Sequence, residues 1–89
     1  MKPVSASYDD VYRLGRDGES YIITLDGVKL DKCFDFNEAE GTAEVWITNE
    51  RGGVIAFEDG KPRSKTLHGD VRLVASSAVR AWFEEHFAI

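Results

Sequence analysis

The chain has few of the residues on which enzymes and metalloproteins depend: it holds one cysteine, two histidines and two prolines among 89 residues. A single thiol excludes an intrachain disulfide, so no oxidising compartment is indicated. No apolar run approaches the roughly 18 residues needed to span a bilayer, and residues 1–10 lack the apolar stretch of a signal peptide. We therefore expect a protein without membrane contact, located in the cytoplasm.

Basic residues are also in short supply, since sixteen acidic side chains face eleven basic ones and the net charge is −5. Nonspecific nucleic-acid binding depends on Lys and Arg to neutralise phosphates, so this balance argues against a nucleic-acid partner. An acidic protein can bind a basic partner surface. The simpler interpretation is that the charge serves solubility.

Residues 20–30 predict a β-hairpin. Asp26-Gly27 is a preferred type I′ turn pair, and it lies between two runs of β-forming residues. With this turn, Leu25 faces Val28 and Ile23 faces Leu30. One apolar face then holds Tyr21, Ile23, Leu25, Val28 and Leu30.

Alternating apolar residues predict further strands. Phe34 and Phe36 are expected to point inward, after a bulge or break near Asp31-Lys32. The strand at 42–48 places Ala43, Val45 and Ile47 on its core face. Further strands are expected at 54–57 and 66–74, and the acidic segment 37–41 and the segment 49–53 are interpreted as turns or loops.

The end of the chain has helical periodicity. Ser76 or Ser77 is a suitable N-cap for a helix that runs from Ser77 to about Ala88. Its apolar stripe consists of Val79, Trp82, Phe83, His86 and Phe87, and Arg80, Glu84 and Glu85 are expected on the solvent side. About three turns are not stable in isolation, so the stripe must dock on the sheet.

These patterns predict an α+β fold: an antiparallel β-meander of five or six short strands, either open or curled toward a barrel, with one C-terminal amphipathic helix. Residues 1–10 are interpreted as a flexible N-terminal arm. Residues 11–89 are expected to form a single α+β domain.

Neither catalysis nor metal binding is indicated. Cys33 lies in a strand pattern with no neighbour that would lower the pKa of its thiol. His68 is expected to face outward and His86 to pack at the rim of the helix, 18 positions away, which does not make a metal site. The acidic series at 31–40 lacks the spacing of a calcium loop. We predict no catalytic residue, no metal and no cofactor.

Trp46 is the most informative candidate for binding, because alternation places it on the polar face of its strand, between Glu44 and Thr48. Either the helix or the N-terminal arm covers this face, or Trp46 is exposed and anchors a partner. Lys61, Arg63 and Lys65 form the only basic cluster. That cluster is either a solvated hairpin end or a surface for an acidic partner.

Several short motifs resemble a known group of proteins. They are Leu25-Asp26-Gly27-Val28, Cys33-Phe34, an acidic loop ending in Gly41, and the run from Leu67 to Leu73. Over roughly residues 20–74 this pattern resembles small proteins of unassigned function encoded in tailed-bacteriophage and prophage genomes. The resemblance implies a phage or prophage origin and brings no catalytic or binding residues with it.

We therefore expect a non-catalytic protein-interaction module, acting as a phage or prophage accessory or structural protein in virion assembly. The alternative is a small acidic inhibitor that binds a host or defence protein. The partner would be a protein of the host or of the virion, or a second copy of the chain. The protein would be found in the host cytoplasm or associated with the virion.

Overall fold

The computed structural model describes residues 1–48 and 55–89. Within these ranges the elements are β1 (Ser5–Ser7), α1 (Tyr8–Arg13), a 3₁₀ turn (Gly18–Ser20), β2 (Tyr21–Leu25), β3 (Val28–Lys29), β4 (Cys33–Asn37), β5 (Thr42–Trp46), β6 (Phe57–Glu58), β7 (Lys61–Pro62), β8 (Ser64–His68), β9 (Val71–Ala75) and α2 (Ser77–Phe87). The predicted turn at 49–53 and residue 54 lie outside the described residues.

The predicted α+β class with antiparallel sheets and a C-terminal helix is confirmed, but the strands do not follow a simple meander. One sheet has the order β1-β4-β5-β8, a second has the order β3-β2-β9, and β6 pairs with β7. Neither of the larger sheets closes into a barrel. The single strand predicted at 66–74 is divided at Gly69-Asp70, because β8 pairs with β5 whereas β9 pairs with β2.

The predicted hairpin is confirmed in its register. Leu25 pairs with Val28, and the Leu30 N–H donates to the Ile23 carbonyl oxygen at 2.9 Å. Gly27 has a φ of +83°, as a type I′ turn requires. The predicted apolar face is wrong at Val28, which is 67% exposed, because β3 is a two-residue edge strand that no other described strand covers.

The core lies between the two larger sheets, and Phe83 of α2 joins them. Its ring makes an edge-to-face contact with Tyr21 of β2 at 4.9 Å and a tilted contact with Phe36 of β4 at 6.3 Å, measured between ring centroids. Phe83 is fully buried. The predicted docked helix is therefore confirmed, and the Ser76 hydroxyl caps it by accepting from the Val79 N–H at 3.3 Å.

The first ten residues are part of this fold, in contrast to the flexible arm that the sequence suggested. Val4 is fully buried, and β1 pairs with β4. Ser7 caps α1, whose Val11 is also buried in the core. A short polar strand carries only one or two core side chains, so periodicity alone does not reveal it. In the described ranges no helix has the length and apolar character that crossing a membrane would require.

Candidate functional site

A bulge in β4 changes the face on which Phe34 lies. The pairing of β4 with β5 shifts between Cys33 and Asp35, so that Cys33 pairs with Val45 but Asp35 pairs with Glu44. A bulge of this kind interrupts the alternation of side chains along a strand. Cys33 packs against the core, whereas Phe34 contacts Trp46. The predicted inward orientation of Phe34 is therefore wrong.

Phe34 and Trp46 form a stacked aromatic pair with ring centroids 4.0 Å apart and an interplanar angle of 21°. Both side chains are partly exposed, and neither belongs to the core cluster or packs against it. Trp46 lies on the same face of β5 as Glu44, and the buried Ala43 and Val45 lie on the opposite face. We call this side of the four-stranded sheet the outer face.

Two carboxylates lie next to each other on the outer face. Asp35 and Glu44 are cross-strand partners, and the Thr66 hydroxyl donates to Glu44 Oε1 at 3.4 Å. Burial, together with the charges of Glu44 and Asp10, raises the pKa of Asp35. In residues 1–48 and 55–89 no Lys or Arg forms an ion pair with Asp35 or Glu44.

The carboxylates border a shallow groove of about 260 Å³ on the outer face. Side chains from four strands and the adjoining loop line it: Ser5, Asp35, Asn37, Glu40, Thr42, Glu44 and Thr66. This lining offers mainly hydrogen-bond acceptors and hydroxyl groups. The groove therefore suits positively charged groups and hydrogen-bond donors.

The six residues predicted from the sequence to form an interface do not share one surface. Glu44 and Trp46 lie on the outer face, and Thr48 is exposed where β5 ends. Lys65 pairs with the buried Val45, so it lies on the opposite side of the sheet.

The two other basic residues are also separate from Trp46. Arg63 forms an exposed ion pair with Glu58, with Nε 3.2 Å from the carboxylate oxygen. Lys61 is the cross-strand partner of that same Glu58. The basic cluster therefore belongs to the exposed β6–β7 hairpin and the neighbouring end of β8.

Burial raises the pKa of two candidate nucleophiles, Cys33 and Tyr21. The Cys33 thiol donates to the Asp35 carbonyl oxygen at 3.3 Å, and burial raises its pKa. Cys33 and Tyr21 both line a cavity of about 460 Å³. Burial, then the neighbouring Tyr8 and Cys33, raise the pKa of Tyr21 to about 12. Both shifts favour the protonated forms of these two groups.

The histidines are placed as the sequence predicted. His68 is exposed on β8, and His86 is exposed at the end of α2, where its Nδ1 donates to the Trp82 carbonyl oxygen at 2.9 Å. In the described part of the chain no three His, Cys, Asp or Glu side chains come together in a way that could hold a metal ion.

Sequence reasoning missed a buried ion pair. Glu38, expected in a solvated loop, and Arg80, expected on the solvent side of the helix, have side chains only 11% and 13% exposed. Both guanidinium ends of Arg80 donate to the Glu38 carboxylate at 2.8 Å. The backbone N–H groups of Val4 and Leu73 donate to the same carboxylate at 3.0 and 2.9 Å.

This cluster joins the residue before β1 and the residue after β4 to β9 and α2, and each of its donors has an acceptor. Arg80 also donates to Glu84 at 2.9 Å and to the Lys2 carbonyl oxygen. Its role is therefore structural. The only sequence signal would have been the i,i+4 spacing of Arg80 and Glu84, which does not point to Glu38.

No protein-family model, curated protein or solved structure was found to match this chain.

Proposed function

We propose that this protein is a non-catalytic protein-interaction module that binds a basic surface of its partner through the outer face. The observation that carries the proposal is the Phe34–Trp46 stack, which lies outside the core and beside the carboxylates of Asp35 and Glu44. Tryptophan is among the residues most enriched where binding energy is concentrated.

Charge supports a basic partner. Asp35 and Glu44 face each other across two strands, and like charges placed directly opposite destabilise a sheet by roughly 0.2–1 kcal/mol. A lysine or arginine from a partner would relieve this repulsion, and an arginine could also stack on the indole of Trp46. The net charge of −5 would favour the encounter with such a partner.

In biological terms, we propose a phage or prophage accessory or structural protein that acts in virion assembly. This role rests on the resemblance to small phage-encoded proteins that the short motifs of residues 20–74 suggest. The acidic outer face favours a second candidate, a small inhibitor that occupies a basic site on a host or defence protein. Affinity capture from a host lysate separates the two roles: a captured virion component would support the first, and a captured basic host or defence protein would support the second.

The test compares variants on the two faces of the same sheet. Trp46→Ala should weaken binding to the captured partner by about 30-fold or more, as for a residue worth about 2 kcal/mol of binding. It should destabilise the fold by only about 0.5–1.5 kcal/mol, chiefly through the lost stack with Phe34. Lys65→Ala, on the opposite face, is the matched control and should bind like the parent protein.

Asp35→Asn separates binding from folding. Removal of the opposed charge should leave the free energy of unfolding equal to or roughly 0.2–1 kcal/mol above that of the parent at neutral pH. It should nevertheless weaken binding and reduce its dependence on salt. If the Trp46→Ala and Asp35→Asn variants each bound the partner as tightly as the parent protein does, the outer face would be refuted as the interface. A loss of about 3–5 kcal/mol of stability in Trp46→Ala would show that the indole serves the core instead.

A further inference from the structure

Among the described residues 1–48 and 55–89, the two larger sheets have four edge strands, and β8 is the one least protected there from pairing with another chain. β1 and β3 have only three and two residues. The edge of β9 that faces away from β2 is covered at Leu73, whose N–H donates to Glu38. β8 has five residues, four of them exposed, and its pairing with β5 is unbroken by a bulge. Short length, bulges, covered groups and lysine side chains are the usual protections of sheet edges, and of these β8 has only Lys65.

The hydrogen bonds of β5 show which groups of β8 point away from the sheet. The Trp46 N–H donates to Lys32 on the β4 side, whereas the Ile47 N–H donates to Arg63 on the β8 side. Since alternate residues of a strand direct their backbone groups to opposite sides, Val45 and Ala43 also bond toward β8. Their partners Lys65 and Leu67 are therefore engaged with β5. The N–H and C=O groups of Ser64, Thr66 and His68 point outward from the free edge.

We propose that β8 pairs in antiparallel fashion with β8 of a second copy of this chain, with Thr66 on the two-fold axis. In this register Thr66 pairs with Thr66 of the second copy, and Ser64 pairs with His68. All three outward-pointing residues then lie in hydrogen-bonded pairs. This self-complementarity is what a two-fold interface requires.

Charge favours the same register. With Thr66 on the axis, Lys65 lies opposite Leu67 of the second copy, whereas an axis at Lys65 would place two lysines directly opposite each other. The two Glu44 carboxylates would be separated by three strand spacings of about 4.8 Å, or roughly 14 Å. That distance exceeds the Debye length of about 8 Å at physiological salt, so their repulsion is largely screened.

The dimer would join two four-stranded sheets into one continuous sheet, with both outer faces on the same side. Because the contact is a single strand, the interface is small, and association should depend on protein concentration. The proposal rests on the backbone edge of β8 and not on the partner-binding role, in which Thr66 takes part only through its side chain: that side chain lines the groove and donates to Glu44 at 3.4 Å.

The experiment measures self-association by sedimentation equilibrium from micromolar to millimolar concentrations. Thr66→Pro removes an outward N–H and leaves the bonds to β5 in place, so it should fold and weaken dimerisation by about tenfold or more. Thr66→Val keeps that N–H and should dimerise like the parent protein. A parent chain that is monomeric at all concentrations, or a Thr66→Pro variant that dimerises as well as Thr66→Val, would overturn the proposal.

Cross-linking tests the register without relying on a proline. In a Cys33→Ser background, Thr66→Cys would place two cysteines about 5.5 Å apart between Cα atoms, within the range of a disulfide. Under mild oxidation it should form covalent dimers at about ten times the yield of Lys65→Cys, since that residue faces Leu67 in the proposed register. Equal yields would refute the position of the axis.

Discussion

Replacement of Glu38 with glutamine tests whether one buried carboxylate holds the sheets and the C-terminal helix together. The carboxylate accepts from both guanidinium ends of Arg80 and from two backbone N–H groups. Glutamine has almost the same shape, but it keeps only one acceptor oxygen and places an amide among four donors. The substitution therefore removes the charge and the acceptors while changing the packing very little.

The magnitude follows from the burial of the pair. Loss of one member of a buried ion pair typically costs about 3–5 kcal/mol, because the remaining charge is left without its partner. Arg80 retains Glu84 and the Lys2 carbonyl oxygen as acceptors, which favours the lower end of that range. We expect a loss of about 3 kcal/mol, a large part of the roughly 5–15 kcal/mol that stabilises a typical domain.

Urea denaturation at neutral pH measures this change in the free energy of unfolding. Glu40→Gln is the matched control, because it removes the same charge from an exposed side chain two residues farther along the chain. It should lie within about 0.5 kcal/mol of the parent protein. If Glu38→Gln were no more destabilised than Glu40→Gln, the Glu38–Arg80 pair would not be a structural link.

The remaining predictions concern pH and the hairpin turn. Burial raises the pKa of Glu38, but hydrogen bonds from Arg80, Leu73 and Val4 outweigh it and hold that pKa below its ordinary value. The resulting stabilisation is complete above the unfolded-state pKa of about 4.3 and is lost as pH falls from there through the folded-state pKa. Denaturation of the parent protein between about pH 5 and pH 3 should therefore show a loss of unfolding free energy that Glu38→Gln lacks. Gly27→Val should cost about 1–2 kcal/mol of unfolding free energy, because a Cβ there has free space but φ is +83°. Gly27→Asn should cost less in the same thermal or urea assay, and equal stabilities would argue against backbone strain.

The sequence by itself determined the elements whose signals are local. The Asp26-Gly27 turn fixed the register of β2 and β3, because only residues that tolerate positive φ fit a type I′ turn. The helical stripe and the Ser76 cap predicted α2 to within a residue at each end. Alternation also identified Ala43 and Val45 as core residues of β5. Each of these signals lies within a few neighbouring residues.

Only the tertiary structure decided the features that depend on distant contacts. Glu38 and Arg80 are 42 positions apart, and nothing in either neighbourhood marks them as partners. The bulge that turns Phe34 onto the outer face arises from its pairing with β5. Gly41 is needed because a Cβ there would lie 2.5 Å from the carbonyl oxygen of Gly69, where the two loops meet. Local periodicity carries no information about such contacts, because they exist only once the sheets have packed.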